Sequence, residues 1–287
     1  TSVPDFISTL GYRDTTDPLS VSTGNPLLHK SHSHTTTYNY HRMWLRKQIV
    51  LGLNVSYNKD INPIATLYRY NSTTGAYESK PMNVKGGNMW NFGLNYDQGI
   101  GVYFRLTNKF KVLTSKSYGF LTIVDNNDPN AVPDLNLQKR LGIDENMELS
   151  YEAEKVQLTL FNDLQWNRYR YDDDTYNSSP LYNSLGISAT LKLSPFEMHI
   201  RLSDDFRKGY ATSDMNGHKL MSTASISYGF CKNKCRLSLY VDDIFNNDIW
   251  YDNDYSAFQR TESTTNYMHH YANLTFSYRF DAKAKKK

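Results

Sequence analysis

The stretch YANLTFSYRF, residues 271–280, alternates between apolar and polar side chains without a break. One set contains Ala272, Leu274, Phe276, Tyr278 and Phe280, and the other contains Tyr271, Asn273, Thr275, Ser277 and Arg279. Because a β-strand points successive side chains to opposite faces, this segment has one apolar face and one polar face. The fold therefore depends on what covers the apolar face, which is either a protein core or lipid.

The same period of two recurs along most of the chain and predicts about ten or eleven strands with no convincing helix. The apolar positions, taken at alternate residues, include Ile49 to Tyr57, Trp90 to Tyr96, Ile100 to Leu106, Leu141 to Tyr151 except Glu145, Val156 to Trp166 except Asn162, Leu185 to Leu193, Phe196 to Leu202, Ala224 to Phe230 and Leu237 to Val241. Runs of about five such positions match the roughly nine to eleven residues with which a tilted strand crosses a bilayer.

The connections between these strands alternate between short and long. Short ones lie near Arg46, Gly99, Glu154, Pro195 and Asn233, and long polar ones lie near Gly75, Pro129, Ser178, Gly217 and Tyr255. A soluble β-sandwich shares the alternating pattern but has no reason to keep every loop at one end short. Outer-membrane barrels have tight turns at one end and longer loops at the other. We therefore predict an all-β, antiparallel up-and-down transmembrane β-barrel with its apolar face against lipid.

Composition excludes other classes. The 287-residue chain has a net charge of +3 and no stretch near the roughly 18 apolar residues of a membrane helix. Its only basic run, Lys283 to Lys287, is too short to indicate nucleic-acid binding. We assign residues 1–280 to barrel strands and residues 281–287 to a basic tail. Cys231 and Cys235 could form a disulfide across a turn or remain free thiols.

Three segments resemble a known family. GNPLLHKSHSHTTTYNY from Gly24, LYVDDIFNN from Leu239 and LTFSYRF from Leu274 resemble, in the same order, elements of TonB-dependent receptors and of the related outer membrane protein beta-barrel family common in Bacteroidetes. Ser31 and His32 replace the usual Pro-Glu of the first element, and seven residues follow Phe280.

The resemblance has implications for completeness and partners. In such receptors the first element sits near the middle of a barrel of about 22 strands, so this chain resembles a C-terminal half whose remaining half and plug domain are its partners. We also read residues 1–14 as the upper end of a strand. The resemblance further implies the outer-membrane bilayer as surroundings, long loops outside, short turns and the C-terminus in the periplasm, and TonB and a surface lipoprotein as further partners.

Candidate ligand-binding residues lie in the long connections. Aromatic side chains among Asn and Asp suit stacking on a sugar ring or a flat chelate, although girdle or loop packing would use them too. The candidates are Tyr176, Tyr182, Trp250, Tyr251 and Tyr255.

Metal and catalytic signals are weaker. We interpret His29, His32, His34, His269 and His270 as solvated side chains lining the barrel rather than a metal site, and Asp172 to Asp174 as an acidic loop tip rather than a calcium site. No catalytic motif occurs, so we predict a protein that is not an enzyme and has no cofactor.

The predicted function is energy-coupled uptake of a nutrient through a TonB-dependent receptor-like barrel, and the sequence leaves open a metal chelate, a glycan and a peptide as the nutrient. The alternatives are a non-transporting barrel that serves as scaffold or adhesin, and a secreted carbohydrate-binding sandwich. Parity predicts Leu158, Ile187, Leu191, Met198, Ile200, Leu274 and Phe276 on the lipid face, with Leu191 taken as a mid-membrane position. It predicts Thr190, Lys192, Glu197, Arg201, Thr275 and Arg279 on the inner face, together with Arg105, Glu148, Glu152 and Asp163.

Overall fold

The fold is an antiparallel β-sheet of long strands with two smaller sheets at one end. The computed structural model describes residues 3–120, 124–125, 134–232, 234–246, 250–255, 260–265 and 270–280. Its strands are β1 (Arg13–Asp14), β2 (Ser20–Thr23), β3 (His32–Trp44), β4 (Ile49–Ile61), β5 (Ile64–Asn71), β6 (Ala76–Asn83), β7 (Asn88–Ile100), β8 (Phe104–Phe120), β9 (Val124–Asp125), β10 (Leu135–Glu152), β11 (Val156–Arg170), β12 (Leu181–Leu193), β13 (Phe196–Lys208), β14 (Gly217–Phe230), β15 (Cys235–Asp242), β16 (Trp250–Tyr255), β17 (Arg260–Thr265) and β18 (Tyr271–Tyr278). One helical turn, α1 (Phe6–Thr9), precedes them.

The large sheet confirms the predicted up-and-down architecture. Its eleven strands follow the order β3, β4, β7, β8, β10, β11, β12, β13, β14, β15, β18, and each neighbouring pair is antiparallel. Turns of four residues or fewer join β3 to β4, β7 to β8, β10 to β11 and β12 to β13. The turn after β7 falls at residues 101–103, where Gly101 has a φ of 65°. Ile100 and Phe104, predicted on one strand, therefore lie on two.

Strand register confirms the predicted division into two faces. Directly opposed residues in an antiparallel pair share a face, and the seven residues predicted to be apolar-facing are linked by pairs such as Leu191 with Met198 and Leu239 with Leu274. The polar face carries the predicted inward charges, among them Arg105, whose guanidinium lies 2.8 Å from the Asp97 carboxylate. Arg279 follows the last paired residue of β18. The apolar side chains along the middle of the described strands stay exposed, as at Leu160, Ile187 and Met198, so no protein core covers them there.

The large sheet is not closed. Over the described residues, β3 pairs only with β4 and β18 pairs only with β15. The predicted failure of the chain to close by itself is therefore confirmed for this part of it. Backbone N–H and C=O groups of both edge strands face outward, an arrangement that hydrocarbon does not tolerate.

A five-stranded sheet lies at the end that carries the long connections, with the order β1, β2, β6, β5, β9. It packs against the end of β8, where Leu67 and Val84 are buried together with Phe120 of that strand. The region near Gly75, predicted as a long polar loop, is instead the tip of the β5–β6 hairpin, where the Asn71 carboxamide oxygen accepts the backbone N–H of Thr73 at 2.9 Å. The reading of residues 1–14 as a strand end is wrong, because α1 and the two-residue β1 occupy that region.

The GNP element has a packing role in this small sheet. A Cβ at Gly24 would stand 1.9 Å from the Leu10 carbonyl oxygen, so only glycine allows that approach. Asn25 is buried, and its side-chain amide donates to the Pro81 carbonyl at 2.9 Å while its backbone N–H donates to Ser8 at 2.7 Å. Asn25 thus joins the N-terminal segment to β6.

Candidate ligand-binding surface

The β16–β17 hairpin folds back over the polar face of the large sheet. Glu262 fastens it: the carboxylate accepts the backbone N–H groups of Ala211 at 3.1 Å and Thr212 at 2.8 Å, and the Tyr255 hydroxyl at 2.6 Å. Partial burial alone would raise the pKa of Glu262, but these hydrogen bonds outweigh it and lower the pKa to about 2. Tyr251 adds a second attachment, since its hydroxyl donates to the Asp214 carbonyl at 2.6 Å.

Under the hairpin, Arg207 lies between two tyrosine rings. Its guanidinium carbon is 5.0 Å from the ring centre of Tyr182 and 4.9 Å from that of Tyr251. Register explains the first contact, because Tyr182 on β12 is directly opposite Arg207 on β13. The next strand places Gly217 opposite Arg207, which leaves room for the hairpin's Tyr251 on that side. Both contacts fall within the range of cation–π attraction.

Lys219 adds a second cation, with its Nζ 4.3 Å from the ring centre of Tyr251. Beneath these groups Asp205 is buried and accepts hydrogen bonds from Ser184 at 2.7 Å and from the Tyr182 hydroxyl at 3.0 Å. Its carboxylate is 3.8 Å from Arg207, so it offsets one of the two cations. The surface formed by Tyr182, Arg207, Lys219 and Tyr251 keeps an excess of positive charge, and we call it the cation–tyrosine surface.

A second aromatic cluster supports the hairpin beside this surface. Tyr255 stacks on Tyr169 of β11 with ring centres 4.7 Å apart, and both are buried. The guanidinium carbon of Arg140 lies 5.5 Å from the ring centre of Tyr169 in this stack. Tyr171 is also buried, and its hydroxyl accepts from the Gln138 amide at 2.8 Å. These rings hold the hairpin in place rather than face solvent.

The structure thus divides the five predicted ligand-binding residues. It brings Tyr182 and Tyr251 together on either side of Arg207. Tyr255 is 8% exposed and packs within the second cluster, whereas Tyr176 is 41% exposed and its ring meets that of Tyr171 edge-on, with 6.3 Å between ring centres. Trp250 belongs to β16, but its side chain lies outside the described residues.

Sequence reasoning missed the two cations. Arg207 has the same parity as Arg201, which was assigned to the inner face, so alternation alone would have placed it correctly. Lys219 lies opposite Asp205 in the register between β13 and β14. Their contact with Tyr251 had no sequence signal, because it depends on the hairpin folding back.

The histidine interpretation is partly wrong. Register places His32 and His34 on the face shared by Tyr38 and Tyr40, opposite Ile61 and Lys59, so they continue the apolar face instead of lining the interior. His269 lies outside the described residues. His270 bonds the Asp243 carbonyl through Nδ1 at 2.7 Å. Within the described residues no group of three or more His, Cys, Asp or Glu side chains is arranged to hold a metal ion.

The acidic tip and the cysteines have local roles. Asp172 accepts the backbone N–H of Leu137 at 2.9 Å and Asp173 that of Thr175 at 2.9 Å, while Asp174 bonds Asn177. Cys231 and Cys235, at the β14–β15 turn, are free cysteines. The basic tail at 281–287, Asn233 and the region around Pro129 lie outside the described residues.

The sheet, its two faces and the comparison with known families agree on one assignment. The model of the outer membrane protein beta-barrel family matches residues 3–278, nearly the whole chain. The chain belongs to that family. No curated protein and no solved structure matches it. This outer membrane barrel protein therefore presents its apolar face to lipid and its polar face to the barrel interior.

None of the helices in the described part of the chain is long and apolar enough to span a bilayer.

Proposed function

We propose that this outer membrane barrel protein is a TonB-dependent receptor-like barrel of the Bacteroidetes type that captures a nutrient at its long-connection end and takes it up at the expense of energy. The observation that carries the proposal is the cation–tyrosine surface, which lies on the polar face where the long connections begin. A ligand bound there would already be inside the barrel mouth. The protein binds and passes its ligand without chemical change and uses no cofactor.

The chemistry of the surface favours an anionic ligand with a ring. Arg207 and Lys219 supply two positive charges, and Asp205 offsets only one. The phenol rings of Tyr182 and Tyr251 offer flat faces and hydroxyl groups beside those charges. An acidic glycan or a catecholate metal chelate meets both requirements, whereas an acidic peptide uses mainly the charges and a neutral sugar uses only the rings.

The unpaired edges of β3 and β18 are the basis for proposing further partners. Lipid does not tolerate unpaired strand edges, so we propose that β3 and β18 pair with the remaining strands of a larger barrel, which would enclose a plug domain. In this arrangement the long connections are extracellular and the short turns and C-terminus periplasmic, where TonB acts; a surface lipoprotein would cover the outer end. Labelling of intact cells with a membrane-impermeant thiol reagent tests the orientation: Asp174→Cys should react and Glu154→Cys should not.

Binding measurements on the whole protein in detergent test the ligand site. The probes are oligogalacturonate, a ferric catecholate chelate and a neutral cello-oligosaccharide, titrated against tryptophan fluorescence. We expect one of the two anionic probes to bind, Arg207→Ala to weaken it at least ten-fold, and Arg207→Lys to weaken it less. Lys192→Ala, a cation on the same face at the short-turn end, is the matched control and should bind normally. Equal affinity of Arg207→Ala and the parent protein contradicts this site.

The scaffold or adhesin reading has one observation in its favour. The hairpin covers part of the polar face with buried tyrosines, as a packed surface domain would. Accumulation of a labelled probe in cells separates the two functions. Uptake that stops when a protonophore removes the proton gradient supports the receptor, and surface binding without accumulation supports the scaffold.

A further inference from the structure

Glu145 places a carboxylate on the apolar face within its membrane-spanning band, whereas Asp204, a second carboxylate on that face, is bonded to the His218 ring at 2.8 Å. Register pairs Glu145 of β10 with Phe110 on one side and Leu164 on the other, both members of the apolar face. The register is continuous along both neighbours of β10, so no bulge turns Glu145 inward. The alternation of Leu141, Ile143, Met147 and Leu149 is thus interrupted by a group that hydrocarbon disfavours.

Two asparagines accompany this carboxylate. Met147 is directly opposite Asn108 on β8 and Asn162 on β11, which places all three on the same face. The Asn108 side-chain amide donates to Oε1 of Glu145 at 2.8 Å. Among the described residues no other hydrogen bond or ion pair reaches the Glu145 carboxylate, and none reaches the Asn162 side chain.

The depth of this patch is well inside the bilayer. Glu145 lies seven residues from Glu152 at the short-turn end of β10, and Asn162 lies six residues from Val156 at the same end of β11. At about 3.3 Å per residue and a tilt near 40°, both stand about 15–18 Å above the turns. Trp166, two residues beyond the level of Glu145, marks the upper aromatic border.

We propose that this outer patch, formed by Asn108, Glu145, Met147 and Asn162, is the contact surface between two copies of this protein in the membrane. The patch complements itself, because it carries a carboxylate acceptor on β10 and an amide donor at equal depth on β11. A two-fold axis along the membrane normal between these strands brings Glu145 of one copy against Asn162 of the second copy, and the reverse contact follows by symmetry. Met147, 38% exposed, lies at the centre. Polar groups facing lipid on one copy become hydrogen-bonded in the pair.

Photo-crosslinking of the whole protein in outer membranes tests this contact. Met147→benzoylphenylalanine should yield a covalent dimer of the protein, and Ile200→benzoylphenylalanine, similarly exposed (42% against 38%) on the same face but three strands away, should not. Combining Glu145→Leu with Asn162→Leu should reduce the dimer yield at Met147 at least ten-fold, whereas Glu145→Gln, which keeps an acceptor oxygen, should retain most of it.

Folding is checked separately, since both leucines suit lipid and the variants should keep the heat-dependent gel shift of a folded barrel. A crosslink from Met147 to lipid alone, or to a different protein alone, overturns the proposal. So does a dimer yield that the double leucine variant leaves unchanged.

Discussion

Arginine substitutions along β12 measure which face meets lipid and how deep each residue lies. Ile187 is six residues from Leu193, the last residue of β12, and Leu191 is two residues from it. With a rise of about 3.3 Å and a tilt near 40°, Ile187 stands about 15 Å and Leu191 about 5 Å above the short-turn end. In an apolar band about 25 Å tall, Ile187 is close to the middle. Leu191, taken from sequence as mid-membrane, is instead near the border.

The expected costs differ accordingly. Ile187→Arg should lower the free energy of unfolding by about 2–4 kcal/mol and Leu191→Arg by about 0–1 kcal/mol. Side-chain exposure does not explain the difference, since both are exposed, at 47% and 38%. Thr190→Arg is the inner-face control; it loses the hydrogen bond to His199, 2.9 Å long, which is worth about 1 kcal/mol.

Denaturant unfolding of the whole protein in lipid vesicles, followed by tryptophan fluorescence, gives the three values. Equal costs at Ile187 and Thr190 would refute the assignment of the apolar face to lipid. Equal costs at Ile187 and Leu191 would refute the depth derived from the strand ends.

Three further predictions concern the hairpin and the packing of the sheet. Because the pKa of Glu262 is lowered, its stabilising effect on the hairpin is complete above a pH of about 4.5 and is lost as the pH falls toward about 2. Pepsin should therefore cut the hairpin increasingly as the pH falls over that range. The variant Glu262→Gln should be cut readily at every pH in it. Tyr255→Leu loses a ring stack and a hydrogen bond, about 1–2 kcal/mol, and should speed proteolysis of the hairpin, whereas Tyr176→Leu should not. Gly186→Ala brings a Cβ to 2.4 Å from a carbonyl oxygen of β13 and should cost about 1–3 kcal/mol in denaturant unfolding; Gly93→Ala, whose nearest neighbour is 3.6 Å away, should cost far less.

Alternation determines the large sheet well and the small elements poorly. Most long strands carry several apolar residues at period two, as in Leu185, Ile187, Ala189 and Leu191, so their faces and antiparallel order follow from sequence; β3, with His34, Thr36 and Arg42 on that face, does not. The β16–β17 hairpin has no such period: Asp252, Asn253 and Asp254 stand in one strand and Glu262 in the other. Its position depends on contacts with residues about 50 places earlier, such as those of Glu262 with Ala211 and Thr212.

The candidate site, too, was predictable from sequence only in part. The tyrosines of the long connections were predictable as a group, because their composition differs from that of the strands. Whether a ring is exposed or buried was not, since Tyr251 and Tyr255 stand four residues apart in the same hairpin and have opposite roles. The first lies over Arg207 and the second is buried against Tyr169.

Because of the small sheet, the molecule has two regions whose stabilities respond differently to cold. Leu67 is 1% exposed and packs with Val84 and Phe120, so that core is held by the exclusion of water, a force that weakens as temperature falls. The membrane strands depend little on that force, because their apolar side chains contact lipid rather than water. Phe120 is the last residue of β8 and Tyr118 of the same strand packs on this cluster, so the two regions meet at the end of β8. Near freezing, the small sheet around Leu67 should loosen from the end of β8, while the membrane strands keep their hydrogen bonds.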